Sequence, residues 1–241
     1  IKNWDSKNIG IITMGDVLKY SNNQGTAFVA MKLGPTNLLE YFSRFNFGVT
    51  TNIDLIGEQN GIMYKNNDLR DIELVTAGFG QGIAMTPLQV AVAYTAFKND
   101  GKIMQPHVVE KIVSGDQEYE VPAMIYSKAV SSNTVKIINR MLREVVVEGE
   151  VDFVKDKTYA YAGKTGTAQI PVNGAYDPDK TNATFVGFFE NSDKVVIYAR
   201  LEQPTTPSHY ASETVYPMWL DVANLVGDYY NIPKVEYNDS E

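Results

Sequence analysis

Tyr159-Ala160-Tyr161-Ala162-Gly163-Lys164-Thr165-Gly166-Thr167-Ala168-Gln169 is the stretch on which the reading of this chain turns. Tyrosine and threonine favour strands and no proline breaks the run, so it reads as one extended segment. Alternation puts Lys164, Gly166 and Ala168 on one face, with Thr165 and Thr167 on the other. The plain alternative is a lysine on a solvated face followed by two β-favouring threonines. A glycine in mid-strand, however, often marks the close approach of another backbone. A peptide lying alongside as an added strand would be such a neighbour. A local bulge or twist would be needed to bring the lysine and both hydroxyls to one site.

Downstream, residues 184–190 and 193–201 are rich in Val, Ile, Phe and Tyr and read as two more strands. The short Asn191-Ser192-Asp193 connection makes them antiparallel. A last helix runs from about Ser212 to Tyr230 and stops before Pro233. Asp177, Asp179 and Lys180 read as a polar loop with Asn173-Gly174, solvated rather than calcium-binding. His209 follows Pro204 to Pro207 in a loop and reads as a surface residue. Asn182-Ala183-Thr184 matches the glycosylation pattern, which is frequent by chance.

Upstream, Thr13 with Asp16 three residues on predicts a capped helix ending near Tyr20. Ser21 and Asn23 follow in a turn. A second helix with Phe28, Met31 and Leu33 ends at Gly34-Pro35, and a third starts at Thr36 with Leu38, Leu39, Phe42 and Phe45. Irregular chain is expected from 49 to 67, with turns at Asn60-Gly61 and Asn66-Asn67. Gly78-Phe79-Gly80-Gln81-Gly82 lacks phosphate-cradle spacing and reads as a tight packed turn. Thr86-Pro87 then opens a helix whose apolar face is Val90, Ala93, Tyr94 and Phe97. Short strands are expected between Lys102 and Tyr126, followed by a helix from Ser132 or Asn133 with Val135, Ile138, Leu142 and Val145 as its stripe. The fold class is therefore α+β: helices, a three-stranded antiparallel meander, and a C-terminal helix, in one domain over 1–241.

Composition narrows the functions. Of 241 residues, 44% are hydrophobic and 21% charged, enough to bury a sizeable core. A net charge of −8 argues against nucleic acid, which needs a basic face. Without cysteine there are no disulfides, thiolate nucleophiles or thiolate metal sites, and two histidines alone hold no metal. No apolar run is long enough to span a bilayer, and no signal segment opens the chain.

Lysine, glycine and two hydroxyls at 164–167 are what an acyl-transfer site needs on the wall opposite its nucleophile. Ser-x-Asn occurs three times. Ser6/Asn8 lies in a polar opening segment and Ser131/Asn133 suits a helix cap. Ser21/Asn23 lies between two helices, where both side chains can point into a cleft, although Ser21 could equally cap the second helix. No serine here has a lysine three residues later.

Taken together the chain resembles the C-terminal part of the transpeptidase domain of class B penicillin-binding proteins. The resemblance rests on Val17 to Gly25, on Phe47-Gly48 through Gly57-Glu58, on Phe79 to Gln89, on Ala162 to Gln169 and on Phe185 to Phe189. Glu190 to Asp193 replaces a proline-containing turn of the family, and Tyr210 to Trp219 lacks its paired glycines. The family's Ser-x-x-Lys nucleophile element is missing. The resemblance implies a peptidoglycan D,D-transpeptidase that acts through an acyl-enzyme and is a target of β-lactams. It implies that Ser21 relays a proton to the leaving amine, bridged to Lys164, and that Asn23 holds the nucleophile's lysine and the substrate amide. Thr165, Gly166 and Thr167 would line the substrate, the two hydroxyls binding its carboxylate, and the Thr167 N–H would be an oxyanion donor. No cofactor or metal is implied. Expected partners are the D-Ala-D-Ala stem peptide, β-lactams, the missing N-terminal part of the domain, and division or elongation membrane proteins. The expected location is the extracytoplasmic face of the bacterial membrane, anchored by a segment not in this chain. The alternative is a non-catalytic scaffold or β-lactam sensor; a β-lactamase would need a deacylating base that is not identifiable here. Alone, the chain is expected to be inactive and to expose a sheet edge and an apolar face.

Overall fold

The computed structural model describes residues 1, 3, 10–65, 69–154, 158–172 and 175–235. Ser6/Asn8, Asn66-Asn67 and Asn173-Gly174 lie outside the described residues. The chain divides into two compact units, one of Ile1–Gly25 with Ile137–Glu241, the other of Thr26–Lys136. Element order is α1 (Met14–Lys19), α2 (Asn23–Arg44), α3 (Asp71–Gly78), α4 (Pro87–Thr95), β1 (Lys102–Met104), β2 (Lys111–Ser114), β3 (Gln117–Glu120), β4 (Ile125–Lys128), α5 (Ser132–Glu148), β5 (Tyr161–Val172), β6 (Ala175–Phe189), β7 (Val196–Glu202) and α6 (Val215–Tyr229).

In the first unit β5, β6 and β7 form an antiparallel sheet in that order, with β5 and β7 at its edges. β5 and β6 are a long hairpin. Pairing runs unbroken from Tyr161↔Phe189 to Gln169↔Thr181, then shifts register before Ile170↔Asp177. Asp177 and Lys180 are therefore strand residues, and β6 begins at Ala175 instead of 184. Asp177 is held extended because Ile170 pairs with it and Pro171 and Val172 continue the ladder beyond, opposite Tyr176 and Ala175, while Lys180 lies in the register shift.

The helix α6 lies on one face of this sheet. Tyr216, Trp219, Leu220 and Ala223 recur at helical spacing and are buried with Tyr161, Phe185 and Phe189. The Trp219 indole N–H donates to the Ile197 carbonyl at 2.9 Å, so its polar atom is satisfied inside the core. Phe185 and Trp219 rings stand 4.7 Å apart. Gly187 is fixed by this packing, since a Cβ would stand 2.9 Å from the Trp219 ring. Burial of such a side chain is worth about 3–5 kcal/mol when measured by truncation to alanine. Ala162, Val186 and Phe188, whose register places them on the opposite face, are buried as well. The expected bare apolar face is thus not found at this end of the sheet. Among the described residues the sheet ends at β5 on one side and β7 on the other.

The second unit is built around two small cores. Ala30, Leu38, Leu74 and Ala77 form one; Val92, Ala96, Ile103 and Ala129 form the other. Gly34 (φ 77°, ψ 165°) followed by Pro35 breaks α2 where two helices were expected to meet. The buried face of its first half differs from expectation. Ala27 and Ala30 are inside, whereas Phe28 and Met31 are 59% and 63% exposed. Close packing explains the choice, because a Cβ on Gly78 would sit 2.6 Å from the Ala30 Cβ, leaving space only for small residues. α3 was not foreseen; Arg70 gives it no side-chain cap, although Asp71 and Glu73 lie in its first turn. The glycine segment is the packed turn expected, with Gly80 and Gly82 at positive φ and Gly82 against the Tyr64 hydroxyl. Thr86 and Gln89 form a full capping box on α4, and the Gln89 amide also donates to the carbonyls of Val49 and Asn60. On α4 the most buried apolar residues are Val92 and Ala93, while Val90 and Tyr94 are half-buried.

Candidate active site

Ser21 and Asn23 sit at the junction of α1 and α2. Thr13 opens α1 with a capping box to Asp16, as the spacing predicts. At the other end, the Asn22 N–H donates to the Val17 carbonyl at 2.9 Å and the Ser21 N–H to Leu18 at 3.2 Å. These two bonds are a Schellman closure, and Ser21 occupies its left-handed position with φ 50°. Glycine is the natural occupant of that position, because an L side chain costs roughly 1–2 kcal/mol there. Capping of α2 falls to Asn22, whose Oδ1 accepts from the Gly25 N–H at 2.8 Å. The Ser21 side chain is therefore not the cap. Gly25 allows α2 to leave at this angle, since a Cβ would lie 2.4 Å from a Val17 methyl. Asn23 is the first residue of α2 and is half-buried.

Lys164, Thr165, Gly166 and Thr167 lie on the edge strand β5 with regular pairing to β6; the bulge considered from sequence is not there. Lys164 and Thr165 nevertheless meet, on Glu150. The Lys164 ammonium donates to Glu150 Oε2 at 2.7 Å and to Thr165 Oγ1 at 3.0 Å, and the Thr165 hydroxyl donates to the same Glu150 oxygen. Both charged side chains are only 14% exposed. Burial pushes the Lys164 ammonium below the ordinary lysine range, and the Glu150 carboxylate pulls in the other direction.

A Cβ on Gly166 would meet Thr184 Oγ1 at 2.5 Å, so its near neighbour is a β6 side chain, not another backbone. The Thr184 hydroxyl donates to the Gly166 carbonyl at 3.3 Å. Thr167 Oγ1 accepts from the Ala211 N–H at 3.1 Å, and the Thr181 hydroxyl donates to the His209 carbonyl at 3.2 Å. These bonds draw the loop between β7 and α6 onto the sheet. His209 is accordingly half-buried, with Nδ1 buried and unpartnered among the described residues, and not the surface residue expected.

The segment Glu148-Gly149-Glu150 touches both motif carriers. Glu148 pairs with Lys19 on α1 at 3.3 Å, and Glu150 holds Lys164 on β5. Between them, a Cβ on Gly149 would lie 2.7 Å from the Lys19 carbonyl oxygen and 2.6 Å from that of Val145. Sequence reasoning did not find Glu150. An acid after a helix end gives no spacing signal, and its partner is fourteen residues away.

Among the described residues no cluster of histidine, aspartate and glutamate could hold a metal, and no helix is long and apolar enough to cross a membrane.

Residues 1–219 match the family described as the penicillin binding protein transpeptidase domain. The chain belongs to that family. Its resemblance to the class B penicillin-binding proteins is carried by curated relatives. It is 29% identical over 229 residues to the stage V sporulation protein D of Bacillus subtilis, covering 93% of this chain and 35% of that protein. It is 32% identical over 231 residues to the peptidoglycan D,D-transpeptidase FtsI of a Buchnera aphidicola subspecies, covering 94% and 39% respectively. The chain thus spans little more than a third of the length of these relatives. In structure it matches penicillin-binding protein 3 of the tuberculosis mycobacterium complexed with ampicillin, with a TM-score of 0.85 at 28% identity, over 94% of this chain and 53% of that one. The transpeptidase domain of Burkholderia pseudomallei penicillin-binding protein 3 superposes with a TM-score of 0.84 at 25% identity, over 96% and 68%. The α+β architecture, with antiparallel sheet and C-terminal helix, is the transpeptidase-domain fold.

Proposed function

We propose that the protein containing this chain is a peptidoglycan D,D-transpeptidase, and that residues 1–241 are the C-terminal portion of one transpeptidase domain. In this reading a serine on an N-terminal part of the domain attacks the penultimate D-Ala carbonyl of a stem peptide. The Ser Oγ–C bond forms, the serine's hydroxyl proton passing to its lysine partner or a neighbouring base, as the C–N bond to the terminal D-Ala breaks. Ser21, bridged to Lys164, passes a proton to the leaving amine, and an acceptor amine then releases the acyl group as a cross-link. Asn23 holds the nucleophile's lysine and the substrate amide. Lys164, Thr165, Gly166 and Thr167 form the wall along the substrate, at which its carboxylate or that of a β-lactam is received. The Thr167 N–H serves as one oxyanion donor, a group worth about 2.7–4 kcal/mol when lost. No cofactor takes part. The site faces the extracytoplasmic side of the membrane, to which another segment anchors it.

The observation that carries this reading is Ser21 held left-handed at a helix junction whose capping is done by Asn22. Strain kept where glycine would relieve it points to a use for the hydroxyl. The edge position of β5 supports it, because a peptide can lie along an unpaired strand. Labelled penicillin should acylate the full-length protein, and Lys164→Ala should abolish labelling. Unchanged acylation of that variant overturns the role given to Lys164.

A further inference from the structure

Glu150 has no part in the reaction as described, yet it is the residue on which the Lys-Thr-Gly wall is assembled. Resting on the transpeptidase reading, we propose that Glu150 is a positioning residue: its carboxylate fixes the Lys164 ammonium and takes the Thr165 hydroxyl hydrogen, leaving Thr167 as the hydroxyl that donates to an incoming carboxylate.

The hydrogen accounting leads to this assignment. An ammonium has three N–H groups. Lys164 gives one to Glu150 and one to Thr165, and keeps one for the site. Thr165 has a single hydroxyl hydrogen, and Glu150 receives it. The Thr165 hydroxyl is then a link in a closed ring of three side chains, unable to donate to substrate while the ring stands. Thr167 differs. Its oxygen accepts from the Ala211 N–H, a bond that leaves its own hydrogen to donate.

The placement of the acid is built into the backbone. Gly149 lies tight against the Lys19 carbonyl, and Glu148 pairs with the Lys19 ammonium two residues before Ser21. A three-residue segment thus fixes one end to the serine's helix and the other to the lysine's strand. Around Lys164 the other neighbours are neutral: Val186 is opposite on β6, Thr165 follows, and the next pair on its face is Gly166 with Thr184. Glu150 is the only charge acting on the ammonium among the described residues. Without it, burial alone would govern the lysine.

The test compares second-order acylation by a fluorescent penicillin across pH in the full-length protein, for wild type, K164A, E150Q and E150D, each checked for folding by circular dichroism. The protonated Lys164 is the competent form, so the rate falls on the alkaline side as it loses its proton. E150Q should slow acylation by on the order of 10- to 100-fold, the loss of a charge-assisted hydrogen bond. Its alkaline limb should move to lower pH, because an amide no longer favours the ammonium while burial still opposes it. E150D keeps the charge but reaches one methylene less far, so it should slow acylation while the limb stays near that of wild type. A wild-type rate and profile in E150Q, with K164A inactive, overturns the proposal and leaves the transpeptidase reading standing. Normal labelling of K164A overturns that reading instead. Should E150Q not fold, a wild-type rate in folded E150D overturns the proposal.

Discussion

Replacing Ser21 by glycine should make the protein more stable and less active at once. Ser21 holds φ 50° at the position following the α1 cap, where both Schellman bonds are made by backbone groups and survive the change. An L-residue there costs roughly 1–2 kcal/mol that glycine does not incur. Against this, glycine gains freedom in the unfolded chain, which returns about 0.4–1 kcal/mol. The net expectation is a stabilisation of about 0.5–1 kcal/mol, or an increase of roughly 1–4 °C in Tm for a chain of this size. The neighbouring cap is untouched because Asn22 provides it. Acylation, if Ser21 relays the proton, should fall by about 10²–10⁴-fold. Calorimetry and penicillin labelling on the full-length protein read the two effects separately. A lower Tm refutes the argument about strain. A higher Tm with undiminished acylation refutes the role of the hydroxyl.

Two further expectations concern the same unit. Gly149→Ala places a methyl against two carbonyl oxygens that belong to backbone and cannot rotate away; the overpacking should cost about 1–3 kcal/mol, seen as a lower Tm, and an unchanged Tm would show that the α1–α5 approach is looser than described. Thr167→Val should weaken capture of a β-lactam in the titration of acylation rate against concentration, whereas Thr165→Val should chiefly move the pH profile through Lys164. Equal concentration dependence in the two variants would contradict the division of labour between the hydroxyls.

What could be read from the sequence follows from how local each interaction is. Thr13 with Asp16 bonds within one helical turn, so spacing located that helix start, and Thr86 followed by Pro87 located the other, where Gln89 completes the box. The Lys164 strand and its meander were legible for a similar reason: β-branched and aromatic residues alternate there, and a short connection fixes antiparallel pairing. Ala162 to Gln169 and Phe79 to Gln89 were specific enough to name the family. Failures occur where a distant partner decides. Phe28 and Met31 looked like a core stripe, but the close approach at Gly78 admits only Ala30 and its small neighbours. Asp177 and Lys180 looked like a loop, but Asp177 pairs with Ile170 and Lys180 lies in the register shift between the two paired stretches of β6. Nothing near Ser21 in sequence says whether it or Asn22 caps α2. Glu150 was invisible altogether, since its pairing with Lys164 exists only once the end of α5 and β5 come together.

The Glu150–Lys164 pair also changes how a lysine in such a wall can act. A buried ammonium with a carboxylate at 2.7 Å is close to electrically neutral at a distance, so it offers little long-range attraction to an anion. The chain as a whole carries −8 and offers none. On the proposed transpeptidase reading, anion recognition is then a short-range matter of hydrogen-bond donors held in place: the remaining Lys164 N–H, the Thr167 hydroxyl and the backbone of an edge strand. In that reading such donors would discriminate by geometry, accepting a carboxylate at the end of an extended peptide laid along β5 and giving little to a free anion in solution. The ring of Glu150, Lys164 and Thr165 gives up net charge, and what it keeps is a lysine held in one direction, on which burial and the Glu150 carboxylate act in opposite senses.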